Sequence, residues 1–211
     1  MKKYILLASS LFMGVFTAEA QDKSCNINFI NLESGINLSQ FDFSDSEITA
    51  FKNGSFSPSQ HQALSLGFNL KGDLNLVLGA AYDKYQVIGK SIDMTSSHLS
   101  YDLNYVSSSA GLEYSFPVKD KISLLANGAV TYNYLLSGFQ NIGSSSYDLS
   151  DSDFEASSYS VGAGVLYKMT DATGIYLKYD WSKTMNMEDA NDSYKLTSYV
   201  YSVGIRFTLA K

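Results

Sequence analysis

Leu196-Thr197-Ser198-Tyr199-Val200-Tyr201-Ser202-Val203-Gly204-Ile205-Arg206-Phe207-Thr208-Leu209 alternates with period two over most of its length. Tyr199, Tyr201, Val203, Ile205, Phe207 and Leu209 fall on one face; Ser198, Ser202, Gly204, Arg206 and Thr208 fall on the other. Successive side chains of an extended chain point to opposite faces, so the stretch reads as a β-strand with one large apolar face and one small polar face. The segments before it repeat the design. Ile175, Leu177, Tyr179 and Trp181 oppose Gly174, Lys178, Asp180 and Ser182, while Tyr159, Val161, Ala163, Val165 and Tyr167 oppose Ser158, Ser160, Gly162 and Gly164.

The same alternation continues upstream. Ile122, Leu124, Ala126, Val130, Tyr132 and Tyr134 alternate with Ser123, Asn127, Thr131 and Asn133. Leu74, Leu76, Leu78 and Tyr82 alternate with Asn75, Gly79 and Asp83, and Leu64, Leu66, Phe68 and Leu70 with Ser65, Gly67 and Asn69. Two further strands are read near 33–43 and 99–116; in the second the apolar parity switches around Tyr105-Val106, as a β-bulge there makes it do. Lys71-Gly72-Asp73, 117–121 and 168–173 are brief turns, whereas 44–60, 84–97, 139–155 and 183–195 are long and polar. Short and long connections alternate strictly.

The small face decides which way this sheet is turned. A water-facing sheet surface is normally rich in charged residues and Thr, but here it is mostly Ser, Gly, Ala and Asn, which suits the crowded interior of an eight-stranded barrel. The large face then meets lipid. Tyr82, Tyr132, Tyr134, Tyr159, Trp181 and Tyr199 cluster toward the long connections, and Tyr114, Phe116, Tyr167 and Phe207 toward the short ones, as two interfacial girdles require. The pattern predicts an all-β, eight-stranded antiparallel up-and-down transmembrane β-barrel, with short periplasmic turns and four longer extracellular loops.

The amino terminus supports export. Lys2 and Lys3 precede an apolar run from Tyr4 to Ala18, and Ala18-Glu19-Ala20 offers a cleavage site before Gln21. This is the three-part pattern of a secretory signal, and its apolar run is short for a membrane-spanning helix. The reading is therefore a signal peptide over 1–20, a short periplasmic segment over 21–31 and a barrel over 32–211. Cys25 stands alone, so no intramolecular disulfide staples the chain, and Asp22-Lys23-Ser24 before it is unlike a lipid-anchor signal. The formal charge is −6, and removing Lys2, Lys3 and Glu19 with the signal takes it to −7. An acidic chain with no basic patch is not expected to bind nucleic acid.

Over essentially its whole mature length the chain resembles the small outer-membrane β-barrels of the OmpA/OmpX and opacity-protein type, a porin-like superfamily. The resemblance is one of pattern, and its most recognisable piece is the closing strand, Tyr201-Ser202-Val203-Gly204-Ile205-Arg206-Phe207. It implies a multi-pass protein of the bacterial outer membrane that meets outer-membrane lipid and is inserted by the barrel-assembly machinery. In such proteins that machinery commonly recognises a terminal aromatic residue, whereas Thr208-Leu209-Ala210-Lys211 follow Phe207 here.

Arg206, the sole arginine, falls on the lumen face, where a buried guanidinium needs partners. Glu33, Glu113 and Lys178 share that face at comparable depth, so the four are expected to form a lumenal ion network, read as a structural plug that fixes register. His61 and His98, the two histidines, fall at rim ends of strands, where a lipid-modifying enzyme would place a general base; neither belongs to a triad signature, and solvated rim histidines are the simpler reading. Asp148, Asp151, Asp153 and Glu155 lack the spacing of a calcium loop and read as a solvated acidic segment. No catalytic residue, cofactor site or metal site is expected. The functional expectation is a monomeric barrel with a structural or surface-interaction role, its loops meeting a host, matrix or cell-surface ligand. The alternatives are a narrow channel for small or hydrophobic solutes and a lipid-modifying enzyme.

Overall fold

The computed structural model describes residues 27–43, 55–90, 98–142, 144–149, 156–185 and 194–209. The strands are β1 (Ile27–Phe43), β2 (Ser55–Lys71), β3 (Leu74–Lys90), β4 (His98–Lys119), β5 (Ile122–Ile142), β6 (Ser145–Asp148), β7 (Ala156–Lys168), β8 (Thr173–Thr184) and β9 (Tyr194–Thr208). All pairings are antiparallel between neighbours, except that β5 pairs both with short β6 and with β7. β1 pairs with β9 and β4 with β5, so the eight long strands close into a barrel and β6 is an added rung beyond the wall. A row of paired residues that starts at Leu125 and runs through Gly164, Lys178, Ser202, Gly35, His61, Asp83 and Tyr105 returns to β5 at Leu135. That displacement is the stagger that strand tilt imposes on a closed sheet.

The large face is outside. Leu32, Leu64, Leu112, Leu124, Val130, Val161, Val165, Leu177 and Val203 are all exposed, and Tyr82, Tyr132, Tyr159, Tyr114, Phe116, Tyr167 and Phe207 share their face. Girdle residues pack on one another, as in Tyr159 with Trp181 and Tyr114 with Phe116. The β2–β3 turn uses Gly72 at φ 59°, a conformation that glycine adopts without strain.

The structure corrects the reading at four places. β1 begins at Ile27, so residues 27–31 lie in the barrel wall instead of a separate periplasmic segment; the inward Phe29 had obscured the alternation there. Residues 55–60, 84–90 and 139–142 are strand, because the wall continues beyond the apolar belt, where apolar side chains such as the inward Tyr85 and the outward Ile88 and Phe139 fall on both faces and the contrast of period two fades. β6 was not expected. The bulge lies beside Tyr105 but on the partner strand: Asn104 pairs with Ser137 and Tyr105 with Leu135, leaving Leu136 as the extra residue. β4 keeps its parity, and its apolar residues Leu103 and Tyr105 point inward. Residues 1–26, which include the stretch read as a signal sequence and Cys25, lie outside the described residues, as do the segments 44–54, 91–97, 150–155 and 186–193.

Candidate functional site in the barrel lumen

The lumen is layered. At the periplasmic end, Arg206 donates through Nε to Asn31 Oδ1 at 2.9 Å and through Nη2 to Glu113 Oε2 at 2.9 Å. Its guanidinium lies over the Phe29 ring, 3.8 Å from the centroid. Arg206 and Glu113 are both buried, so each ion relies on the other for what water would have supplied. Phe29 fits because its pairing partner is Gly67; a Cβ at that position would collide with the ring. Tyr176, Leu125 and Leu166 pack into the same end as an apolar cluster.

One layer higher, Lys178 Nζ lies 2.9 Å from Glu33 Oε2 and 3.2 Å from Asp180 Oδ2. Tyr176 OH donates to Glu33 Oε2 at 2.9 Å. The reach across β9 depends on Gly204, which pairs with both Tyr176 and Glu33 and has no side chain to stand in the way of the ring. His61 sits between two carboxylates, with Nδ1 2.6 Å from Asp83 Oδ1 and Nε2 3.3 Å from Glu33 Oε1. Ionised carboxylates only accept hydrogen bonds, so this clamp asks both ring nitrogens to carry a proton. Ser107 Oγ lies 3.2 Å from Asp83 Oδ2 and 2.8 Å from Asn133 Oδ1, and Asn133 Nδ2 donates to Ser158 Oγ at 3.1 Å. These polar groups surround a cavity of about 160 Å³.

At the extracellular end the chemistry changes. Tyr85, Leu103, Tyr105, Leu135 and Leu196 form a buried apolar cluster against which Tyr101 and Leu149 pack, and Leu103 is 0% exposed. Tyr85 and Tyr105 meet edge to face with centroids 5.4 Å apart.

Glu33, Glu113, Lys178 and Arg206 all face the lumen, but they pair as two sets. Stagger separates them: Arg206 pairs in register with Asn31, and Glu33 with Gly204, so Arg206 reaches Glu113 while Lys178 reaches Glu33. Sequence reasoning left His61, Asp83 and Asp180 out of the network. His61 is inside the wall rather than at a solvated rim, and its parity with Ser65 and Gly67 was the available signal. His98 opens β4 opposite Lys90, and its side chain lies outside the described residues. Asp148 is exposed at the end of β6, and Asp151, Asp153 and Glu155 lie outside the described residues.

No curated protein matches the sequence. Among solved structures, the chain is similar to Neisserial surface protein A at 15% identity, with 86% of this chain and 96% of that one covered and a TM-score of 0.56. It is also similar to the outer membrane protein OprG from Pseudomonas aeruginosa at 13% identity, with 88% and 97% covered and a TM-score of 0.56. At such identities the likeness is one of fold. The family model described as outer membrane protein beta-barrel domain matches residues 8–207. With that match spanning nearly the whole sequence and a closed barrel carrying an apolar belt beneath it, the chain belongs to the outer-membrane protein β-barrel family.

Proposed function

We propose that this is a non-enzymatic, multi-pass protein of the bacterial outer membrane, exported with a cleaved signal peptide, whose barrel is a filled scaffold. Its work is done at the extracellular connections, in envelope integrity or in contact with a host, matrix or cell-surface ligand. One observation carries the reading: ion pairs, aromatic rings and apolar side chains fill the lumen at both ends, which leaves its functional surface outside. Catalysis by His61 is disfavoured because both ring nitrogens are engaged by carboxylates and Ser107 lies against Asp83 rather than the imidazole.

A narrow channel is the second reading, favoured by the polar cavity midway through the lumen. Conduction would require both end clusters to move. The test replaces segments 44–54, 91–97, 150–155 and 186–193 one at a time with short Gly-Ser turns. Each variant is scored for heat-dependent gel mobility, cell attachment and detergent resistance of the envelope. The expected result is retained mobility with loss of attachment or resistance in at least one variant. Full attachment and resistance in all four, with solute uptake into liposomes, would move the function into the lumen.

A further inference from the structure

The extracellular girdle of aromatic residues is interrupted on one side of the barrel. On β3, β7, β8 and β9 the outward residues at that level include Tyr82, Tyr159, Trp181 and Tyr199, whereas β1 and β2 put Ser34, Ile36, Gln60 and Gln62 there. Gln62 pairs in register with both Ser34 and Tyr82, so amides replace rings within one row of the sheet. An aromatic ring suits an interface met by any lipid, but an amide there needs hydrogen-bond partners.

The wall is also uneven at this place. Between the pairs Phe56–Val87 and His61–Asp83, four residues of β2, 57–60, run beside three of β3, 84–86, and the ladder lapses. Pro58 lies in this stretch and has no N–H to donate. A bulge of this kind bends the strand that carries it. The outer face here bears a groove of about 370 Å³, lined by Ile36, Pro58, Ser59, Gln60, Lys84 and Gln86. Lys84 stands two residues beyond Tyr82 on the outward face of β3, which puts its ammonium at the level of the outer-leaflet headgroups.

The polar ends of these side chains are not engaged within the protein. Among the described residues, Lys84 forms no ion pair and Gln60 no side-chain hydrogen bond. Ser57 Oγ donates to Gln86 Oε1 at 3.2 Å, which leaves the N–H groups of that amide without a protein partner. Asp102, the register partner of Gln86, shares this face, but no ion pair joins it to Lys84, so the ammonium is left to an outside anion.

We infer that this groove binds the phosphorylated sugar headgroup of an outer-leaflet glycolipid, with the phosphate on Lys84 and sugar hydroxyls on Gln60 and Gln86. An unpaired ammonium at headgroup level is a phosphate donor. Amides offer donors and acceptors together, as a ring of hydroxyls requires. A headgroup without hydroxyls would leave those amides unmatched. The inference concerns the outer wall and does not depend on what the loops bind.

The experiment places the full mature barrel in phosphatidylcholine nanodiscs that carry graded amounts of bisphosphorylated lipid A, a phosphorylated diglucosamine lipid. Lipid retained on the released protein is counted by native mass spectrometry, and folding of each variant is checked by heat-dependent gel mobility. One lipid A should be retained at saturation. Lys84→Met should weaken retention about tenfold and Gln60→Leu about threefold, the losses of one charge-assisted and one neutral hydrogen bond. Lys183 is the comparison: it stands two residues beyond Trp181 on β8, between Tyr159 and Thr197, so Lys183→Met should change retention by less than about twofold. Equal weakening by Lys84→Met and Lys183→Met would mean diffuse attraction to surface charge. Equal retention of phosphatidic acid would mean that no sugar is read, and a dimer without lipid A would mean that a second copy covers the groove. Each of these outcomes, or no retained lipid A at all, would overturn the inference.

Discussion

The two ends of the lumen are closed by different chemistry. The periplasmic end is held by the Arg206–Glu113 pair under Phe29 and Tyr176, with glycines at 67 and 204 leaving room for the rings. The extracellular end is held by Leu103, Leu135, Leu196 and two tyrosines, with no ion pair in the cluster. A buried ion pair is directional: it fixes which strands meet and at what register, but removing one partner leaves a stranded charge. An apolar cluster is less particular about register and loses stability in proportion to the volume removed. In this fold, alignment is set where the chain closes on itself, and bulk filling is used beneath the loops.

That contrast can be broken from either side. Arg206→Ala should be the most damaging change, costing about 3–5 kcal/mol because Glu113 is left buried without its cation. Urea unfolding in micelles measures it, and Arg206→Met combined with Glu113→Leu should recover most of the loss, which a packing defect alone would not permit. Leu103→Ala, at the other end, should cost about 3 kcal/mol as a cavity opens, with no rescue from a charge change elsewhere. Gly204→Val should cost about 2 kcal/mol by pushing the Tyr176 ring off its seat and away from Glu33, seen as slower refolding and a lower urea midpoint. Leu177→Ala makes the change of Leu103→Ala on the lipid face, where Leu177 is 63% exposed; it should cost under about 1 kcal/mol. Equal losses at Leu103 and Leu177 would mean that the inside and outside of the wall have been assigned wrongly.

Much of this architecture was legible in the alternation of β7, β8 and β9, because their outer residues are large and their inner ones small along nearly the whole strand. Legibility failed where the lumen stops being polar. Leu103 and Tyr105 are apolar and inside, so a rule that equates apolar with outward reads a change of parity and places a bulge in β4. The bulge is real but belongs to β5 at Leu136, which pattern alone does not distinguish because pairing partners are involved. The lumen charges were visible as inward-facing residues. Their partners were not, since counting residues from the periplasmic end ignores the stagger that puts Glu33 opposite Gly204 and Arg206 opposite Asn31. His61 was missed for a simpler reason: β2 runs up to Ser55, and the strand was ended too early to carry the histidine inside.

Planar-bilayer recording tests the filled scaffold most directly. The purified barrel, shown to be folded by its heat-dependent gel mobility, is inserted in 1 M salt and compared with Leu103→Gly, with Arg206→Ala and with the two combined. The account predicts a silent native protein, with current steps appearing only when both end clusters are opened. Regular, voltage-driven steps from the native barrel at unit occupancy would contradict it and make the lumen, rather than the loops, the working part of the molecule.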